Sequence, residues 1–145
     1  MVLPVPTPGL VIGYAYLWYR EHREGAEEGR KDRPCAIVVA TRTEAGTIQV
    51  MVAPITHAAP ADPDDAVEIP QKVKRHLGLD DAPSWIVTTE LNRFEWPCPD
   101  LRPVARGKPD TFEFGTLPVE LFDRVKRSIQ ANARKGSLKS TGRLP

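Results

Sequence analysis

The chain has 145 residues, of which 41% are hydrophobic and 27% charged, ordinary values for a single globular domain. Lys and Arg number 20 against 19 Asp and Glu, a net charge of +1, which excludes a strongly basic nucleic-acid coat and an acidic solvating tail but not a local basic patch. The 15 prolines against 10 glycines divide the chain into short elements and argue against a bundle of long helices.

Residues 1–8 read as an extended, proline-stiffened arm with no basic leader run. From Leu10 to Tyr19, the larger side chains Ile12, Tyr14, Tyr16 and Trp18 alternate with smaller ones, which predicts a strand. Residues 20–33 hold five acids and five bases and read as an exposed loop. The run 34–41 is continuously apolar, the pattern of a strand buried on both faces. After the turn 43–46, residues 47–55 pair with it as a hairpin.

A loop over 57–65 leads to a short strand from Ala66 to Ile69, then to a two-turn helix over 71–77 stopped by Gly78. Further strands are expected at 84–89 and 111–115. Leu121, Phe122, Val125 and Ile129 give a helical apolar stripe over 118–135, with Pro118 at its first position. Residues 136–145 read as a basic, flexible tail. There is no repeat and no interdomain linker, so the expectation is one domain over 1–145. It is mainly β (α+β), a small antiparallel barrel with a short inserted helix and a C-terminal helix.

Several chemistries find no template. Neither a glycine-rich phosphate loop nor a GxSxG elbow is present. His22, His57 and His76 are widely spaced, and Cys35 and Cys98 have no CxxC neighbour, so a metal site or a disulfide framework is not expected. No cofactor is expected. No apolar run reaches the roughly 18 residues that span a bilayer, and the expected location is the cytoplasm, away from membranes. What remains is a pair of polar strand ends. Arg33 precedes the apolar strand, Thr56 follows the next one, and a hairpin brings them to one end of the sheet. Guanidinium is a fixed fork of donors suited to phosphate.

The stretch from Gly25 through Glu28 to Arg33-Pro34, followed by a valine-rich strand and then Pro54-Ile55-Thr56, resembles the PemK/MazF family of toxin endoribonucleases. Asn92-Arg93-Phe94-Glu95-Trp96-Pro97 and Lys72-Val73-Lys74-Arg75-His76-Leu77-Gly78-Leu79 resemble strings of a proteobacterial branch of that family. The resemblance covers roughly residues 9–96. It implies an SH3-like or CcdB-like barrel, a homodimer and metal-independent cleavage of single-stranded RNA. It also implies neutralisation by an antitoxin protein. By the same resemblance, Arg33 and Thr56 serve the scissile phosphate.

The general base is open. The family carboxylate falls on Thr89, with Glu90 one residue later on the opposite strand face. His57, beside Thr56, and Glu28 are the other candidates, imidazole being the group whose ordinary titration lies near neutrality. Trp18 offers a face for an unpaired base. Lys31, Glu90 and Asn92 from the quoted stretches join the substrate-binding set. So do Lys72, Lys74 and Arg75 on the small helix. After Asp123 come seven basic residues and no acid, a second candidate track for a phosphate backbone. The alternative reading is a non-catalytic nucleic-acid-binding module, or a CcdB-like topoisomerase poison, on the same barrel. The lack of a carboxylate at Thr89 favours it.

Overall fold

The structure, a computed structural model, describes residues 3–23, 32–104 and 111–143. These form β1 (Leu10–Tyr14), α1 (Tyr19–Arg23), β2 (Arg33–Arg42), β3 (Ile48–Thr56), β4 (Ala66–Glu68), α2 (Gln71–Leu77), β5 (Trp85–Val87), β6 (Glu90–Trp96), β7 (Glu113–Thr116), α3 (Val119–Arg134) and β8 (Lys139–Gly142). The fold is mainly β, a small barrel-like α+β sheet with one short helix inserted between β4 and β5 and a longer helix after β7. Pairing is antiparallel except between β6 and β8.

β3 organises the sheet. On one side it pairs with β2 along most of its length, from Arg42↔Ile48 to Cys35↔Pro54. On the other it changes partner midway. Its first half pairs with β6 from Ile48↔Trp96 to Val52↔Asn92, and its last two residues pair with β5 at Ile55↔Ile86 and Thr56↔Trp85. Pro54, which has no amide hydrogen to give a ladder, falls at the changeover. β2 carries a register shift between Ile37 and Val39, and such a bulge bends and twists its strand. The apolar run of β2 is therefore not buried throughout. Cys35 to Val38 are buried, whereas Val39 beyond the bulge is 42% exposed.

Both faces of the sheet are packed. Val11, Ala36, Ala53, Ile55 and Ile86 face Leu121, Val125 and Ile129 of α3 on one side. Leu10, Ile12, Cys35, Ile37, Val50, Val52 and Phe94 form a second core on the other. Strand alternation divides neighbouring residues between the two cores, which explains why every residue of β1 is buried. Each fully buried Val, Leu or Ile of this kind contributes about 1.5–3 kcal/mol. Gly13 of β1 is required by a close crossing, since a Cβ there would sit 2.3 Å from the Arg102 carbonyl oxygen. Gly78 ends α2 at φ 70°, the left-handed position that favours glycine. Pro118 lies one residue before α3 rather than as its first residue.

Three further expectations are corrected. The strand drawn from Leu10 to Tyr19 stops at Tyr14, and α1 takes Tyr19 from its end and residues 20–23 from the supposed loop. Beyond the ladder the Ala15 amide donates to the Asp100 carbonyl, and the amides of Leu17, Trp18 and Tyr19 find side-chain acceptors. The supposed flexible tail is ordered as β8, which pairs in parallel with β6 from Glu90↔Lys139 to Arg93↔Gly142. Arg143 then turns into the interior. Its Nη1 donates to the Ala15 carbonyl at 2.8 Å, the Asn92 Oδ1 at 3.1 Å and the Tyr14 hydroxyl at 3.2 Å, and its Nη2 lies 2.9 Å from Asp100 Oδ1. One of the seven basic residues is thus a buried structural cation. The residues 24–31 of the charged stretch, with the candidates Glu28 and Lys31, lie outside the described residues.

Replacing Arg143 by Met leaves the Asp100 carboxylate, whose side chain is 12% exposed, without its cation. Breaking a buried pair in this way costs about 3 kcal/mol or more. Urea denaturation of Arg143→Met should show a loss of that size, and an unchanged midpoint would refute the role given to this residue.

Candidate active site

The β2–β3 register that sets Cys35 opposite Pro54 carries Arg33 and Thr56 to the same end of the hairpin. There they line one cavity of about 640 Å³, with Trp18, Arg20, Asp32, His57 and Asp65. That volume suits a small ligand or one nucleotide unit of a longer strand. The convergence expected from the hairpin is therefore present. The Arg33 guanidinium carbon lies 4.9 Å from the centroid of the Trp18 ring, and its Nη1 donates to the Ile55 carbonyl at 3.3 Å. Its Nε has no hydrogen-bond partner among the described residues. Cation–π contact and one carbonyl thus orient the fork without saturating its five donors. The Thr56 hydroxyl accepts from the Ala58 amide at 3.2 Å, which leaves its own hydrogen free to donate.

The wall carrying Trp18 is built by residues that the sequence places in the substrate set. Asn92 is fully buried. Its Oδ1 accepts from the Leu17 amide at 2.9 Å and its Nδ2 donates to the Leu17 carbonyl at 2.8 Å. Glu90 Oε1 accepts from the Tyr19 amide at 2.9 Å and the Tyr16 hydroxyl at 3.1 Å. Glu21 Oε1 accepts from the Trp18 amide at 3.1 Å. These contacts replace the strand ladder that the chain leaves after Tyr14. Asn92 and Glu90 are therefore positioning residues for the 16–19 segment, and neither lines the cavity. Burial holds the Glu90 carboxyl above its ordinary range despite the donors around it.

The α2 cluster is divided by the structure. Lys72 and Arg75 are exposed, but Lys74 is fully buried, its Nζ donating to Asp80 Oδ1 at 2.9 Å and to the Ala82 carbonyl. A buried ammonium is tolerated only when paired in this way, so Lys74 is withdrawn from substrate binding. The Asp80 it fixes also meets His57, whose Nε2 lies 3.0 Å from Oδ1 and 2.9 Å from Oδ2. The hydrogen bonds from Lys74 and then from His57 lower the Asp80 carboxyl below its usual range. In the neutral imidazole this contact places the proton on Nε2 and leaves Nδ1 as a proton acceptor. Asp80 has no signal in the sequence, because nothing local links it to a histidine 23 positions away.

Arg20, Asp32 and Asp65 also complete the cavity without a sequence signal. Asp32 is drawn aside by Arg102, 3.4 Å from its Nε. Phe94 belongs to the second core, with Trp96 stacked on it at 6.3 Å, away from this cavity. Cys35 and Cys98 are free and buried, burial raising both thiols, that of Cys98 to about 11. Neither is poised as a nucleophile. Among the described residues, no three His, Cys, Asp or Glu side chains gather as a metal site, and no helix is long and apolar enough to cross a membrane. No protein-family model matches the chain, and no curated protein matches it.

The raised Glu90 carboxyl has a thermodynamic consequence. A folded-state pKa above the unfolded value makes the folded form bind more protons in the window between them, so stability falls as pH rises through it. Glu90→Gln keeps an oxygen acceptor for Tyr16 and Tyr19 without the charge. It should melt at or above the wild-type temperature at neutral pH, with the difference closing as pH falls through the usual carboxylate range. A variant that melts well below wild type at neutral pH would show the charge to be needed.

Proposed function

We propose that this protein cleaves single-stranded RNA, with the scissile phosphate held by Arg33 and Thr56. The observation that supports the reading is the placement of the Arg33 fork against Trp18, in one cavity with the Thr56 hydroxyl and His57. An aromatic face beside a guanidinium suits an unpaired base next to its phosphate. The reaction uses these groups and solvent water. The ribose 2′-oxygen attacks phosphorus in line while its proton passes to a base, for which His57 Nδ1 is the candidate the cavity offers. The bond to the 5′-oxygen breaks, that oxygen takes up a proton from solvent water, and a 2′,3′-cyclic phosphate remains. Arg33 and Thr56 donate to the phosphoryl oxygens as their charge grows. The remaining parts of the reading, a homodimer and a neutralising antitoxin, rest on the PemK/MazF resemblance alone.

One observation favours a second reading. Glu90 is turned toward Tyr16 and Tyr19 and Thr89 has no carboxyl, so strand β6 brings no carboxylate base to the cavity. A binding module would keep the Arg33 contact and lack turnover.

The test is incubation with a mixed-sequence single-stranded RNA in excess EDTA, with product ends identified by mass. Cleavage to cyclic-phosphate ends is expected, falling about 100-fold or more in Arg33→Ala, as on loss of one transition-state donor. Arg33→Lys should recover little, because an ammonium cannot supply the fork. RNA bound but left uncut would replace the enzyme with the module, and RNA neither bound nor cut would overturn both.

A further inference from the structure

A second cavity, of about 650 Å³, lies between α3 and the stretch from Pro63 through β4. Ala66 lines both it and the Arg33 cavity, so the two are neighbours across a single residue of β4. One stripe of α3 faces it, Arg124, Arg127, Ser128, Ala131, Arg134 and Lys135. Steps of three and four residues keep these on one helical face. The stripe from Arg124 to Lys135 runs about 16 Å at 1.5 Å per residue.

The floor of this groove is built rather than incidental. Asn132 is 1% exposed, and its Nδ2 donates to the Thr88 carbonyl at 2.9 Å, the Asp64 carbonyl at 3.1 Å and the Thr88 hydroxyl at 3.2 Å. Its Oδ1 has no partner among the described residues. Ser128 and Thr88 share a 2.7 Å hydrogen bond beside it. Two acids lie on the far wall. Asp64 is 3.6 Å from Lys135 Nζ, and Glu68 is exposed. Among the described residues, Arg124, Arg127 and Arg134 form no ion pair. Three exposed guanidiniums without an ion pair, beside a cavity that holds two more in Arg20 and Arg33, are an uneven charge distribution in a chain whose net charge is +1.

We infer that this groove carries the flanking phosphates of the same single strand whose cleaved linkage sits at Arg33, the strand crossing at Ala66. The inference rests on the proposed function and adds an extended substrate track to it. Guanidinium forks on a helical stripe follow a backbone of regularly spaced phosphates without reading bases. The track therefore sets preference for length rather than for sequence.

The test compares a 4-nucleotide and a 12-nucleotide single strand, both 2′-deoxy at the cut site so that binding is read without turnover. Fluorescence anisotropy is followed over a salt series for wild type, Arg33→Ala and the double variant Arg124→Ala/Arg127→Ala, with melting temperature as the check on folding. The double variant should bind the 12-mer roughly tenfold more weakly. Its log–log salt slope should fall by about 1.4, two phosphate contacts at about 0.7 each for a single strand. The loss should not extend to the 4-mer, whose binding should depend on Arg33. An unchanged 12-mer affinity and slope would overturn the track while leaving the Arg33 site standing. A 12-mer whose binding ignores Arg33 would instead overturn the reading of the site. Poly-glutamate that binds through Arg124 and Arg127 while RNA does not would assign the groove to an acidic protein segment and overturn the inference.

Discussion

The side chain on which the candidate site depends is the buried amide of Asn92. It satisfies both the amide and the carbonyl of Leu17, at the point where the chain leaves β1 and has no strand partner. A buried, unpaired peptide group costs about 1–3 kcal/mol, so without this amide the 15–18 segment would not hold its path. With it, Trp18 stands over Arg33. Arg143 reinforces the arrangement by donating to the same Asn92 oxygen and to the Ala15 carbonyl. The C-terminal strand thus acts on the cavity without touching it.

The second constraint is the change of partner along β3. A strand that pairs first with β6 and then with β5 must bend. The bend gathers the start of β2, the end of β3 and the edge of β4 around one opening. The cavity is thus formed by these strand ends together with the loop after β3, which contributes His57, Ala58 and Pro60. Its charge is locally mixed, with Arg20 and Arg33 against Asp32 and Asp65. Arg102 and Lys74 draw Asp32 and Asp80 toward structural pairings. Arg33 keeps unfilled donors in the middle, an arrangement that favours an anionic ligand over a cation.

Much of this was legible in the sequence where interactions are local. The hairpin of β2 and β3, the small helix closed by Gly78 and the apolar stripe of α3 follow from periodicity and turn residues. The meeting of Arg33 with Thr56 follows from hairpin geometry alone. What was not legible depends on distant satisfaction of polar groups. Asn92, Glu90 and Lys74 look like solvent-facing polar residues in a linear reading. Their burial is decided by Leu17, Tyr19 and Ala82, contacts that periodicity does not encode. Likewise the basic string after Asp123 reads uniformly, yet Arg143 is interior while Arg124 and Arg127 are exposed, because β8 adds to the edge of β6 and carries the residue after it inward.

The proposed reaction places a phosphodiester between Arg33, Trp18 and Thr56. The most direct measurement is a two-dimensional NMR titration of the whole chain with a short 2′-deoxy single strand, following the Arg33 Nε–H, the Trp18 indole N–H and the Thr56 amide. Saturable shifts at these three groups with a common dissociation constant, and smaller ones at Asn92, are expected. Saturable shifts confined to other surfaces, with the Arg33 and Trp18 signals unmoved, would contradict that placement.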